Sequence, residues 1–326
     1  MSLPVLVEAE RSGWVESVHT GSLLAVRADG SVAFALGQVE TPILPRSANK
    51  PLQAIGLLAA GWQPADTREL ALACASHSGE PQHCDVVRQV LTGAGVDEDA
   101  LGCPSALPLG EAAAHDLLRR GGEANRLTMN CSGKHAAMLA CCVANGWPTS
   151  DYLDPAHPVQ QAVAEAVERL AGEQVRHVAV DGCGAPQHAL SLQGLARAFG
   201  RVSTDGGHCR HVSTAMREHP LLVGGTGREV SELLAGVPDL VVKDGAEGVY
   251  AAARPGYGAV AVKVADGASR AAPLLVVAGL RALGCTGEVL DRIGRPPVLG
   301  GGRPVGSLHV SAELADRVAA VNEITG

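Results

Sequence analysis

The stretch Ser22–Leu36, SLLAVRADGSVAFAL, contains the clearest secondary-structure signal in the chain. Two apolar runs, Ser22–Arg27 and Val32–Leu36, flank an Asp-Gly turn, and such an arrangement is typical of a β-hairpin. Trp14–Val18 supplies another short run of strand-forming residues before it. The sequence therefore predicts that the chain begins with antiparallel strands.

The rest of the chain alternates between helical and strand-like patterns. Pro51 is best tolerated in the first turn of a helix, so we expect a helix to begin within a few residues of Ser47. The glycine-rich tract Leu299–Gly306 is expected to be a flexible loop. Because strands come first, helices fill the middle and strands return, the pattern predicts an α/β protein of the mixed α+β kind. Further helices are predicted at Asp85–Thr92, Glu111–Arg119, His135–Ala144, Val159–Ala171 and Ala271–Leu283, and strands at Val175–Val180, Leu240–Lys243 and Ala259–Val264.

Composition excludes several classes of protein. The chain has 326 residues and a formal net charge of −8, with 2% aromatic residues, which argues against a nucleic-acid binder. No linker divides it, so we expect one domain over residues 1–326. Its apolar stretches fall short of the ~20 residues that span a bilayer. Nine cysteines, an odd number, and charged residues near the start indicate a cytoplasmic protein in a reducing compartment.

The segment Arg46–Gln53, RSANKPLQ, contains a possible nucleophile and base. Ser47 and Lys50 are three residues apart, so a helix would place both on one face, where a neutral lysine can accept the serine proton. Neutrality at pH 7 requires burial or a second cation to lower the lysine pKa. Taken alone, the motif is also compatible with a helix cap beside a surface lysine.

A second serine and a second lysine occur further along the chain. Ser76 lies in Cys74–Pro81, CASHSGEP, at the end of an apolar run, where the segment could carry catalytic hydroxyls or form an ordinary turn. Lys263 lies in the predicted strand Ala259–Val264, where Ala259 and Ala261 share its face. It could face a cavity or lie on a solvated edge. The polar run Lys243–Glu247 could hold a substrate amino group or form a surface turn.

Two cysteine-containing turns could bind a metal. Asn130–His135, NCSGKH, precedes a predicted helix, and Asp181–Pro186, DGCGAP, follows a predicted strand. Two thiolates with one further ligand and an open position would suit zinc. Neither turn is a Cys-x-x-Cys motif, so spacing alone supports the site weakly. The glycines of Gly224–Gly227 lack the strand, helix and acidic partner of a nucleotide-binding loop.

Taken together and in this order, the motifs at 46–53, 74–78, 130–135 and 181–183 resemble those of the rhizobial-type, or class 3, L-asparaginases of the asparaginase II family. The resemblance extends from about residue 8 to the C-terminus. It implies a fold similar to serine β-lactamases and glutaminases, with an antiparallel sheet and surrounding helices. It also implies a homodimer that hydrolyses the side-chain amide of L-asparagine to aspartate and ammonia.

The resemblance also implies roles for individual residues. Two serine–lysine tandems match Ser47 with Lys50 and Ser76 with Lys263. Implied zinc ligands are Cys131, Lys134 and Cys183, and implied substrate-binding residues are Arg46, His135 and Asp181. In this scheme Ser47 attacks the amide and Lys50 takes its proton, with Ser76 as the rival nucleophile. Zinc then orders the substrate pocket instead of activating water. A zinc-stabilised binding module without activity, or an amidohydrolase for another amide, remains an alternative.

Overall fold

A computed structural model describes residues 3–325 of the chain, and side chains up to residue 323. Contacts divide it into two compact units. The first contains the chain up to Ala48, Leu190–Ser203 and the chain from Gly236 onward; the second contains Asn49–Ala189 and Thr204–Ala235. The expectation of one domain over residues 1–326 stays a prediction, and residues 1, 2 and 326 lie outside the described part.

Strands and helices follow one another in the order that the pattern suggests: strands come early, helices fill most of the middle, and strands return late, before a final helix. The strands are β1 (Val5–Arg11), β2 (Trp14–Arg27), β3 (Val32–Leu36), β4 (Val178–Val180), β5 (Pro186–His188), β6 (Val241–Gly245), β7 (Val249–Arg254), β8 (Gly258–Val264), β9 (Pro297–Gly300) and β10 (Arg303–Val310). The helices are α1 (Lys50–Ala59), α2 (Thr67–Ala73), α3 (Pro81–Gly93), α4 (Glu111–Arg119), α5 (Ser132–Ala144), α6 (Pro158–Ala171), α7 (Leu192–Thr204), α8 (His208–Glu218), α9 (Pro220–Val223), α10 (Glu229–Gly236), α11 (Ala272–Ala282), α12 (Glu288–Ile293) and α13 (Ala312–Thr325).

The first unit is built on an antiparallel sheet. Its strand order is β6-β7-β8-β2-β1-β10-β9, and β3 also pairs with β2. The predicted hairpin is confirmed, because Leu23 lies opposite Leu36 and Ala25 lies opposite Phe34. Trp14–Val18 and Ser22–Arg27 belong to one strand, β2. Helix α11, which is apolar and almost wholly buried, packs on β2, β7 and β8. This combination of sheet and helices confirms the predicted fold class.

The glycine-rich tract near the end of the chain corrects one expectation. Leu299–Gly306 is part of the β9–β10 hairpin instead of a flexible loop, and Gly300 pairs with Arg303. Gly301 and Gly302 form the turn with φ of 55° and 76°. Two consecutive positive φ values give the tight hairpin turn whose twist matches the strands, and glycine adopts them without steric cost.

The second unit is mainly helical, with the short β4–β5 ladder beside the helices. Helix α1 packs against α6, and α2 packs against α3, α5 and α8. The predicted helix at Glu111–Arg119 has the bounds of α4, and α5 begins at Ser132, three residues before its predicted start. In the described part of the chain, no helix combines the length and apolar character needed to cross a membrane.

Close helix packing in the second unit depends on Gly56. A Cβ atom at this position in α1 would lie 2.9 Å from the carbonyl oxygen of Ala162 and 2.9 Å from Cα of Val163, both in α6. Backbone atoms cannot move aside as a flexible side chain would. The two helices can therefore lie this close together only because position 56 has no side chain.

We predict that Gly56→Ala lowers the free energy of unfolding by about 1–3 kcal/mol, because overpacking forces the helices apart. Gly200→Ala is the matched control: Gly200 lies in α7 and a Cβ there would meet nothing within 4 Å. It should raise stability by up to about 1 kcal/mol through helix propensity. Urea unfolding of both variants measures the difference. Equal effects of the two substitutions would contradict this description of the α1–α6 contact.

Candidate active site

The second unit contains a buried contact between a lysine and a serine. Lys50 is the first residue of α1, and Ser76 lies just after α2. The Lys50 Nζ atom donates to Ser76 Oγ at 3.2 Å and to the carbonyl oxygen of Ala75. Lys50 is 1% exposed and Ser76 is 3% exposed. A lysine amine at hydrogen-bond distance from a serine hydroxyl can exchange a proton with it once the amine is neutral.

This contact joins one member of each predicted tandem. Motif matching pairs Lys50 with Ser47 and Ser76 with Lys263, whereas the described contact is between Lys50 and Ser76. Ser47 and Lys263 belong to the first unit and are described there. Both predicted tandems stay predictions.

Backbone hydrogen bonds hold the segment that carries Ser76. The amide of Ser76 donates to the carbonyl of Val223 at 3.1 Å, and its carbonyl accepts from Arg228 Nη1 at 3.3 Å. The next amide, that of His77, donates to the carbonyl of Asn130 at 3.2 Å. Hydrogen bonds therefore fix the backbone of the segment that carries Ser76. The sequence does not indicate Arg228 as a partner, because it lies far from Ser76 along the chain.

His77, which follows Ser76, has a structural role. Its Nδ1 accepts from the amide of Gly79 at 3.1 Å and its Nε2 lies 2.9 Å from Ser132 Oγ, whose own proton goes to Leu127. A neutral imidazole therefore satisfies both contacts, with Nδ1 as acceptor and Nε2–H as donor. Burial, together with the stacked ring of His83, holds the pKa of His77 well below its usual value. A general base needs an accessible nitrogen, which His77 lacks.

A cluster of two cysteines and an aspartate forms the second feature of this unit. The ligand atoms of Cys131, Asp181 and Cys183 all lie within 4.8 Å of one another. Cys131 precedes α5, and the other two residues lie in the turn between β4 and β5. Lys134 Nζ donates to Cys183 Sγ at 3.1 Å. Two sulfurs with a carboxylate or an amine are a donor set for zinc and similar metals, so this cluster could hold a metal ion.

The charges of the cluster are coupled. A hydrogen bond from the Cys131 thiol lowers the pKa of Cys183 and raises that of Cys131, and Lys134 lowers the pKa of Cys183 further. Burial lowers the pKa of Lys134, but the two sulfurs outweigh burial, so its pKa is raised. One thiolate is therefore stabilised inside the protein, as a metal ligand must be.

His135 is fully buried beside the cysteine cluster. Tyr152 accepts from the amide of Gly102 at 2.8 Å, so its own proton is available for His135 Nδ1 at 2.6 Å. The proton of the neutral ring is then on Nε2, on the side of the ring that interacts with Cys183. Burial lowers the pKa of His135, which favours this neutral form. The sequence analysis did not identify Tyr152, which has no motif around it.

In the first unit, the segment that carries Ser47 is strained. Arg46 begins a 3-10 helix, Arg46–Asn49, with φ of 53°, and Glu247 has φ of 60°. Such values are unusual for residues with a side chain, and they are often found at functional sites. Arg46 Nη1 lies 3.9 Å from Glu247 Oε1. Arg46 and Ser47 are half-buried.

Gly245 lets strand β6 lie against this segment. A Cβ atom at Gly245 would be 2.5 Å from the carbonyl oxygen of Pro45 and 3.2 Å from the amide nitrogen of Ala48. The end of β6 therefore touches the backbone on both sides of Ser47. Lys243, two residues earlier in β6, is 0% exposed, and its ammonium binds the carbonyl and carboxylate of Asp244.

Lys263, the lysine that the motif singles out, lies in β8. Its Nζ donates to the carbonyl of Glu247 at 2.6 Å and to that of Val264 at 2.7 Å. Burial lowers its pKa, Glu247 opposes the shift, and Arg46 adds to it. Lys243 ends the predicted strand Leu240–Lys243 and begins the polar run, and nothing in the neighbouring sequence indicates that its amine is buried.

Comparison with known proteins agrees with the motifs. The chain matches the model of a family described as L-asparaginase II over residues 7–310. No curated protein matches it. It is similar to the solved structure of Mglu in its native form, with 15% identity, a TM-score of 0.42, and coverage of 80% of this chain and 62% of Mglu, so it spans less than two thirds of that protein.

A β-lactamase from Mycobacterium bovis is also similar, with 13% identity, a TM-score of 0.39, and coverage of 76% of this chain and 88% of that one. Because both TM-scores are low, these two likenesses support no inference about activity. The family match is of another kind, since it covers nearly all of the chain. On that match, the chain belongs to the L-asparaginase II family.

Proposed function

We propose that this protein is an amidohydrolase that converts L-asparagine to L-aspartate and ammonia by way of an ester to serine. Membership of the L-asparaginase II family supports an amidohydrolase acting on a small molecule. The observation that carries the finer proposal is the buried hydrogen bond between Lys50 and Ser76. It supports Lys50 as an amine that exchanges a proton with a serine hydroxyl, and the resemblance assigns the same amine to Ser47.

In the proposed reaction, Ser47 Oγ bonds to the carboxamide carbon while neutral Lys50 takes the hydroxyl proton. Departure of ammonia breaks the C–N bond and requires that the nitrogen receive a proton. Ser76, hydrogen-bonded to Lys50, is suited to pass that proton on, and Lys263 is the further lysine that the resemblance assigns to this relay. Water then attacks the ester, which releases aspartate and regenerates Ser47.

The remaining site residues are proposed to bind the substrate and a metal. His135 offers its buried Nε2–H, and Asp181 and Arg46 carry charges opposite to those at the two ends of an amino acid. Cys131 and Cys183, with Lys134 or Asp181, would hold zinc. When bound, zinc would supply a fixed positive charge that orders the substrate. A homodimer and a cytoplasmic location are proposals that rest on the resemblance and the composition.

The first test is direct. We expect the purified protein to release ammonia from L-asparagine much faster than from L-glutamine, and Ser47→Ala to reduce kcat at least about a thousandfold. Ser203→Ala, a serine that bonds only within its own helix, is the control. Mass spectrometry of quenched reactions should find the aspartyl ester on the peptide containing Ser47.

An ester on the Ser76 peptide would make Ser76 the nucleophile. Equal rates with both amides would favour a broader amidohydrolase. A chain that releases no ammonia from either amide, with its metal content intact, would leave the non-catalytic zinc module as the better description.

The second test concerns the two lysines of the first unit. We expect Lys263→Met to lower kcat about a hundredfold or more, because the resemblance assigns Lys263 to the proton relay and burial favours its neutral form. Lys243→Met is the comparison, and we expect a smaller loss because the carboxylate of Asp244 holds its ammonium in the charged form. Thermal unfolding of both variants controls for stability.

The opposite order of effects would make Lys243 the relay lysine. The pH profile gives an independent check. Since burial lowers the pKa of Lys263, its active neutral form would appear as pH rises through that lowered value. An ascending limb of kcat that Lys243→Met removes, and Lys263→Met retains, would contradict our expectation.

The third test concerns the metal. We expect Cys183→Ser to lower zinc content by at least half and to raise KM more than it lowers kcat, because zinc is proposed to order the substrate. Cys285→Ser, at a buried cysteine of the first unit, is the control. Asp181→Asn and Lys134→Met, measured by elemental analysis, identify the third ligand. A loss of kcat alone, or unchanged zinc in Cys183→Ser, would reject this role.

A further inference from the structure

The second unit contains a cavity that none of the site residues above lines. Its volume is about 590 Å³, and it lies between the end of α1, the start of α2, and α8. Cavities of roughly 300–1,000 Å³ are the usual size for small-molecule sites. A molecule bound there would be distinct from the substrate of the proposed reaction.

The floor of the cavity is apolar and firmly held. It includes Leu58, Trp62 and Leu70, which are 8%, 4% and 3% exposed. The amide of Trp62 donates to the carbonyl of Leu57 at 2.9 Å, which closes the end of α1. Such a floor favours a flat hydrophobic group, because aromatic side chains and rings bury large areas at little entropic cost.

The rim of the cavity is rich in hydrogen-bond donors and carries one arginine. Helix α8 begins at His208 after Gly207, with no side-chain cap and no acidic residue in its first turn. Arg210, His208 and His211 all line the cavity and are exposed. Within residues 3–325 these three side chains form neither an ion pair nor a hydrogen bond. They are thus available to a ligand.

A carboxylate on the rim already accepts hydrogen bonds from the backbone. Asp66, the one carboxylate lining the cavity in the described chain, caps α2 by accepting from the amides of Arg68 and Glu69, at 2.9 and 3.0 Å. A bound cation would have to compete with those amides. A bound anion would face Arg210 and the positive end of α8.

We propose that this cavity binds a small aromatic carboxylate, with its ring over the apolar floor and its carboxylate on Arg210 and the first turn of α8. The apolar floor selects for the ring, and the unpaired rim selects for the anion. This site is separate from the proposed active site and does not depend on the enzyme being an asparaginase.

Calorimetric titration of the whole protein with 1-naphthoate tests the proposal. We expect saturable binding of one molecule per chain, not displaced by saturating L-aspartate. The uncharged 1-naphthamide and the cation 1-naphthylmethylamine should each bind at least about tenfold more weakly, a difference of about 1.4 kcal/mol.

Two variants locate the site. Arg210→Gln should weaken 1-naphthoate binding about tenfold, and Thr214→Glu, which puts a carboxylate on the same wall, should abolish it. Arg119→Gln, at an exposed arginine of α4, should leave binding unchanged. Absence of saturable binding, displacement by L-aspartate, equal binding of all three probes, or no effect of either wall variant would overturn the proposal.

Discussion

A polar side chain removed from water is the constraint on which the second unit depends. The Lys50 side chain is 1% exposed, and leaving its amine without hydrogen-bond partners would cost about 1–3 kcal/mol. Its partners are the hydroxyl of Ser76 and the carbonyl of Ala75, both supplied by the chain after α2. Folding of this unit therefore requires that the segment around Ser76 be in place. The same requirement creates the arrangement that serine chemistry uses.

Further hydrogen bonds transmit this constraint outward. Ser76 is held at its amide by Val223 and at its carbonyl by Arg228, and Glu80 accepts from the amide of Thr226 at 2.7 Å. A loop far away in sequence thus fixes the serine. Each bond contributes modestly, about 1 kcal/mol net, but together they leave the serine backbone little freedom. Such preorganisation lowers the cost of reaching a reactive geometry.

The cysteine cluster is a second case of buried polar groups that need partners. Cys183 is stabilised as a thiolate by the Cys131 thiol and by Lys134. Tyr152 determines which nitrogen of His135 carries the proton, because its own oxygen is occupied by the amide of Gly102. Protonation in this cluster is therefore set by neighbouring groups. The net charge of −8 says little about the site.

The sequence by itself determined the local structure and the chemical inventory. The Asp-Gly turn predicted the β2–β3 hairpin, Pro51 predicted the start of α1, and the ordered motifs predicted the family. Local signals sufficed there because a turn, a helix start and a motif each depend on neighbouring residues. The prediction of a flexible loop for the glycine-rich tract was wrong. The same residues suit a loop or a tight hairpin, and pairing between β9 and β10 decides between them.

Only the tertiary structure decided which groups meet. It brought Lys50 to Ser76, which is 26 residues away, and Tyr152 to His135, which is 17 residues away. It also buried the amine of Lys243, which lies in the sheet. It also formed the cavity whose walls come from α1, α2 and α8. Burial is a property of the packed chain and not of its sequence neighbours. For that reason the sequence could name the reactive residues, while packing alone selected their partners and their charge.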